Sequence, residues 1–289
     1  MKYIKAIFTH ARTLVWFIVT VWLVAVITVA GVLSETMLFE VFRMALGDRN
    51  VEMFGGGQFY VSDYENKEDS FEKSNLVNER INEEGITLMK NESNALPLAK
   101  GAKVSVFGKN SVNLAYGGSG SGAFTVTEDT PTLYQSLEAA GFDVNPVMHA
   151  FYKNNSQSGS GRDKSPEMDN SRDTYPGFGT GETPLTSYTQ AVKDSYKDYN
   201  DAALVVFTRI GGESFDLPRT MQNKDGTPIK GAYDGNDHYL ELDKNEQDML
   251  VEACNNFDKV IVIINSSTSM ELGFLDAADD HDDSIVDGM

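Results

Sequence analysis

The sequence predicts an α/β protein: a three-layer α/β/α sandwich on a mostly parallel sheet, preceded by one N-terminal transmembrane helix. Three observations predict it. Short apolar runs of strand length recur at Lys103 to Gly108, Phe142 to Asn145, Ala203 to Ile210 and Lys259 to Ile264. Segments with helical spacing separate them, and strands alternating with helices form a parallel sheet covered on both faces. Ahead of these, Leu14 to Leu33 runs for 20 residues without a charge, long enough to cross a bilayer as a helix.

The apolar run follows Lys2, Lys5 and Arg12 and precedes Glu35 and Glu40. The positive-inside rule then keeps residues 1–13 in the cytoplasm and exports everything after residue 33. The expectation is a single-pass cell-membrane protein with its C-terminal domain extracytoplasmic. Ala30-Gly31 offers the small residues of a cleavage site, but the run exceeds a normal signal core, so an uncleaved anchor is preferred. Residues 34–73, with a Gly55-Gly56-Gly57 break and an acidic polar run, read as a juxtamembrane spacer with a short helix through Met37 to Ala45. Residues 74–289 read as the α/β domain.

Within that domain, Leu76, Ile81, Ile86, Leu88 and Met89 fall close to helical spacing until Leu96-Pro97-Leu98 stops it. The strand at Lys103 follows, and its turn leads to Gly117-Gly118-Ser119-Gly120-Ser121-Gly122. A phosphate-binding loop needs G-x-G-x-x-G at the strand-to-helix turn or a terminal Gly-Lys-Ser/Thr, and neither is present. The glycines read instead as a loop of close backbone approach. Thr132 to Ala140 is a helix with Gly141 as its stop, and Phe142 begins the next strand. Lys153 to about Glu182, rich in Ser, Gly, Asn and Asp, reads as a long irregular surface loop. Helical spacing resumes from Ser187 to Tyr199.

The strand Ala203 to Ile210 is closed by Gly211-Gly212, and the turn presents Glu213 and Asp216. Ligands of open α/β sheets collect outside the carboxyl ends of the strands, which places these carboxylates where chemistry is done. Acidic residues in this position also serve as solvated loop or capping residues. Asp225-Gly226 and Asp234-Gly235 signal turns. Lys244 to Asn256 is a helix buried through Met249, Leu250, Ala253 and Phe257, and the last strand ends in Asn265-Ser266-Ser267.

The net charge of -19 and pI near 4.5 exclude a nucleic-acid partner, because such a surface repels phosphate. The single cysteine, Cys254, forms no internal disulfide and has no zinc-ligand spacing around it, so it is assigned to core packing. The cluster Asp279, Asp280, His281, Asp282 and Asp283 lacks the spaced glycine and terminal Glu of a calcium loop and reads as a solvated tail. No metal and no cofactor is expected. His149 and His238 have no paired Ser or Cys, so a hydrolase triad is not supported.

Four phrases in order resemble the α/β sandwich domain of glycoside hydrolase family 3, over about residues 74 to 275. They are Glu84-Gly85-Ile86-Thr87-Leu88-Met89-Lys90-Asn91-Glu92 with Leu96-Pro97-Leu98; Gly108-Lys109-Asn110 followed by the glycine-rich loop from Tyr116; Gly212-Glu213-Ser214-Phe215-Asp216; and Val260 to Leu272. The resemblance implies a β-glucosidase-like enzyme with Glu213 as general acid/base, and Asp216, Gly117, Gly118 and Ser119 in contact with the sugar. Ser214 stands where the family pattern has glycine. Leu217 stands where an Arg often follows the Asp, which leaves Arg219 as the candidate ion-pair partner of Asp216.

A retaining glycosidase uses two carboxyl groups roughly 5 Å apart, one nucleophile and one acid/base. The family's nucleophilic Asp lies on a (β/α)8 barrel, and no barrel fits this sequence. The resemblance therefore implies a reversed domain order, sandwich before barrel, with the barrel expected downstream and these residues inactive alone. The implied partner is a β-linked oligosaccharide or glycoside. The acid role asks for a raised pKa at Glu213, supplied by the nucleophile and partial burial. The alternative is a non-catalytic extracellular module that binds sugar or a partner.

Overall fold

A computed structural model describes residues 11–35, 63–118, 120–162, 178–213, 216–223 and 225–275. The chain divides into two compact units, Met1–Thr87 and Leu88–Met289.

In the first unit, helix α1 (Ala11–Glu35) exposes Trp16, Phe17, Ile18, Trp22 and Ile27 among other large apolar side chains. Thr20 and Thr28 return their hydroxyls to the carbonyls of Trp16 and Val24, at 2.9 and 2.8 Å, which keeps those groups satisfied on an apolar helix. Thr13–Leu33 is long and apolar enough to span a membrane, a length and composition shared with signal sequences. Helix α2 (Lys67–Gly85) starts inside the segment read as a spacer. Asn66 caps it by accepting from the Asp69 N–H at 2.8 Å, and Glu68 and Asp69 complement the helix dipole. The helical spacing was expected to run to Met89. It stops at Gly85, where Ile86 turns extended, and no residue of α2 is buried. The short helix expected at 37–45, Ser119 and the acidic tail from 276 lie outside the described residues.

The second unit carries strands β1 (Lys103–Phe107), β2 (Asp143–Val144), β3 (Ala202–Arg209) and β4 (Val260–Ser266). They pair in the order β2-β1-β3-β4, all parallel. Every residue of β3 is buried, as an interior parallel strand requires. Alternation along the strands feeds two cores. Phe107, Ala203, Val205 and Phe207 face one side, under α4 (Pro146–Lys153), α6 (Gln190–Ser195) and α7 (Lys244–Asn256). Val104, Val106, Ala202, Leu204 and Val206 face the other, under Tyr134 and Leu137 of α3 (Leu133–Ala139). These are the three layers expected.

Three expectations need correction. Helix α4 was not foreseen, although Asn145 caps it with its side chain and Pro146 occupies the first turn. The stretch after Lys153 is not a solvated loop throughout: α5 (Asn155–Ser158) follows, and Ser158, Arg162, Phe178, Thr180 and Glu182 are buried. Phe178 joins Met221, Ile229 and Tyr239 in a third small core. The segment Ser187 to Tyr199 is one α-helical stretch, α6, between two 3-10 turns rather than a continuous helix. Cys254, on α7, packs half-buried against the first core.

Candidate active site

The turns that follow β1, β3 and β4 meet at the carboxyl end of the sheet. The β3 and β4 turns are pinned to each other: the Gly211 N–H donates to Ser267 Oγ at 2.9 Å, and that hydroxyl donates to the Gly211 carbonyl at 3.0 Å. From β4, Asn265 reaches across to the loop after β1. Its Oδ1 accepts from the Ala115 N–H at 2.7 Å and its Nδ2 donates to the Ala115 carbonyl at 3.0 Å. One amide thus holds the stem of the glycine-rich loop as a neighbouring strand would.

The loop itself is shaped by backbone contact. The Gly118 N–H donates to the Gly122 carbonyl at 3.1 Å. A Cβ on Gly118 would stand 2.6 Å from the Gly211 carbonyl oxygen, so only glycine lets the two turns approach this closely. Gly120 has φ +64°, and a Cβ there would lie 2.6 Å from Glu213 Cβ. On either side, Tyr116 and Phe124 stack loosely, ring centres 5.9 Å apart, both partly open to solvent.

Glu213 is exposed and Ser121 holds it. The Ser121 N–H donates to Oε2 at 2.8 Å, and the Ser121 hydroxyl donates to the same oxygen. Those two bonds, the hydroxyl's the larger effect, hold the carboxyl below the ordinary carboxylate value. In this domain the shift runs opposite to the raised pKa that the acid role asks for, because the two Ser121 bonds outweigh the desolvation that raises it. Asp216 is exposed and makes no hydrogen bond or ion pair among the described residues, so the open question of its pairing with the candidate Arg219 is answered in the negative there. Gly117 and Gly118 lie in the loop facing the β3 turn, and Ser119 is outside the described residues.

A buried ionic cluster sits beneath the site. Arg209, the last residue of β3, is 1 % exposed and grips Glu246 of α7 through two bonds of 2.7 and 2.6 Å. It also donates to the carbonyls of Tyr239 and Glu241 at 2.7 and 2.6 Å. Nearby, Asp243 caps α7, and Thr180 donates its hydroxyl to it. Glu182 accepts from the N–H groups of Lys109 and Thr183 at 2.9 and 2.8 Å. Burial pushes Glu182 up to about 8 and Asp243 up to about 6. The charges of Glu246 and Asp243 add to the rise at Glu182. Lys109 is also buried, and its ammonium bonds the Tyr152 carbonyl, Asn155 and Ser158.

Sequence reasoning missed Ser121 and Asn265 as parts of the site. Both lie inside family-like phrases, but only the folded chain brings them to Glu213 and Ala115. Among the described residues, no group of three or more His, Cys, Asp or Glu is placed to hold a metal ion.

Comparison with known proteins gives the family and the fold of the second unit. The model of the glycosyl hydrolase family 3 C-terminal domain matches residues 86–287. Beta-glucosidase A of Butyrivibrio fibrisolvens is 28% identical over 193 residues, covering 63% of this chain and 21% of that protein. The chain thus spans about a fifth of the length of this relative. Among solved structures, beta-glucosidase 3B of Thermotoga neapolitana in complex with glucose superposes with a TM-score of 0.52 at 22% identity, over 71% of this chain and 26% of that one. The same protein in complex with alpha-D-glucose gives 0.51 at 22% identity, with the same coverage. At this identity the likeness shows a shared fold.

Proposed function

From the premise that the chain belongs to glycosyl hydrolase family 3, through that family's C-terminal domain, we propose that it supplies the general acid/base of a retaining β-glucosidase-type enzyme. Glu213 is that group. The observation that carries the reading is the placement of Glu213: exposed at the carboxyl end of the central strand and oriented by a glycine-rich loop.

In this role Glu213 protonates the glycosidic oxygen as the nucleophile attacks the anomeric carbon, then removes a proton from water as the covalent intermediate is hydrolysed. The nucleophile is an Asp of a barrel domain that these residues do not include. Asp216, Gly117, Gly118 and Ser119 belong to the sugar-binding surface. Closure of the barrel over Glu213 would dehydrate it and bring a second carboxylate near, both of which raise a carboxyl pKa and oppose the lowering by Ser121. Helix α1 serves as an uncleaved anchor with the domain extracytoplasmic.

The test is turnover of aryl β-glucosides by the full-length gene product carrying Glu213→Gln. Loss should be about 10²–10⁴-fold for leaving groups that need protonation, the usual contribution of a general acid, and far smaller for dinitrophenyl glucoside. Equal turnover of both substrates by variant and wild type would end the assignment. A non-catalytic sugar-binding module is the second reading, favoured by Ser121 holding Glu213 ionised. It predicts sugar binding without turnover.

A further inference from the structure

Strand β4 runs out into Asn265-Ser266-Ser267, and two of these three side chains leave their own turn. Asn265 accepts the Ala115 N–H at 2.7 Å and donates to the Ala115 carbonyl at 3.0 Å, across 150 positions of sequence. Ser267 treats Gly211 in the same way, accepting its N–H at 2.9 Å and donating to its carbonyl at 3.0 Å, across 56 positions. Each side chain closes both backbone groups of one residue, as one step of an antiparallel ladder does. Ser266 bonds locally instead: its hydroxyl donates to the Thr268 carbonyl at 2.7 Å and accepts from the Thr268 N–H at 3.1 Å. A side chain that only satisfies its own turn behaves like Ser266.

The two residues held from β4 begin the two segments that meet at Glu213. Ala115 leads into the glycine-rich loop that carries Ser121, and Gly211 opens the turn that carries Glu213. The turns are packed without slack: a Cβ on Gly118 would stand 2.6 Å from the Gly211 carbonyl oxygen, and one on Gly211 would stand 3.0 Å from Thr268 Cβ. We propose that Asn265 and Ser267 are positioning residues: the end of β4 is a two-point jig that fixes the separation of the glycine-rich loop and the β3 turn, and so holds Ser121 on Glu213. The inference rests on the reading of Glu213 as the acid/base. Each of the two residues acts through a peptide group rather than on the sugar.

The contact between Ser121 and Glu213 can be read by titration, because the Ser121 bonds hold the Glu213 carboxyl below its ordinary value. The experiment uses the full chain in detergent micelles, with 13C-labelled glutamate and Glu213→Gln to assign the signal. Asn265→Ala and Ser267→Ala should each move the Glu213 midpoint up toward the ordinary value. Ser267→Thr, which keeps the hydroxyl, should leave it at the wild-type position. In a Ser121→Ala background, where only the backbone bond of Ser121 is left to loosen, both upward shifts should shrink.

Near-ultraviolet circular dichroism matching the wild type shows that each variant is folded. A folded Asn265→Ala or Ser267→Ala protein with the wild-type midpoint overturns the inference, and so does a shift as large in the Ser121→Ala background as in the wild type. If an alanine variant does not fold, Asn265→Asp, which loses the donor, or Ser267→Cys, whose thiol is a weak donor, stands in with the same outcomes. The glycosidase reading fails by a different sign, the absence of Glu213-dependent turnover, so the two failures are distinguishable.

Discussion

Replacing Glu182 by Gln should change how the stability of the domain depends on pH. Glu182 is 5 % exposed and folding lifts its pKa from 4.5 to about 8. In the folded chain it therefore stays protonated between those values, while in the unfolded chain it ionises. The folded state holds the extra proton, so stability falls as pH rises from about 4.5 and levels off above about 8. The difference of about 3.5, at about 1.4 kcal/mol for each pKa unit, sets an upper limit on the order of 5 kcal/mol. Gln accepts the same bonds from the Lys109 and Thr183 N–H groups but cannot ionise. Glu182→Gln should remove most of this decline. What remains should come largely from Asp243, raised to about 6 by burial and by Glu246. The assay is urea unfolding at a series of pH values, read through the buried tyrosines Tyr134, Tyr152 and Tyr196. Tryptophan emission is unsuitable because Trp16 and Trp22 both lie in α1. Superimposable pH dependences for wild type and variant would refute the reasoning.

Two other substitutions test the support of the site. Glu246→Ala strands the Arg209 guanidinium in the interior and should cost about 3–5 kcal/mol in urea unfolding, whereas the double variant Arg209→Met, Glu246→Leu should cost less. Asn265→Ala deletes both bonds to Ala115, and amide exchange at Ala115 should quicken by roughly tenfold, the effect of about 1–2 kcal/mol of lost hydrogen bonding.

The sheet was legible in the sequence because a parallel strand buried on both faces must be apolar throughout. Ala202–Arg209 meets that demand at all but its last two residues. Helix α7 was legible for a similar reason, with Met249, Leu250 and Ala253 on one buried face. Helix α4 escaped because its signal is local: the Asn145-Pro146 start was hidden behind a strand ending at the same residue. The reach of α2 was misjudged because its apolar residues pack on nothing within the described chain, and spacing alone sets no end. Glu182 was unreadable, since a carboxylate among Ser, Gly and Thr looks solvated until Lys109 and Thr183 close over it. Arg209 was equally opaque: a charged residue at a strand end passes for a turn residue, and its partner lies 37 positions away. Glu213 was found at the end of β3 by topology and by the family phrase together. The lowering of its pKa was not, because Ser121 is 92 positions distant in sequence.

Asn265 lies in β4, directly beside Thr208 of β3 in the ladder. The ladder holds seven such steps, and β4 is only half-covered along its length. A slip of one step would turn the amide to the opposite face and unhook Ala115. The glycine loop is therefore indexed by strand alignment, as a vernier is read against its scale. Whatever shields that outermost strand also sets the zero of the glycine-rich loop, well away from the carboxylate itself.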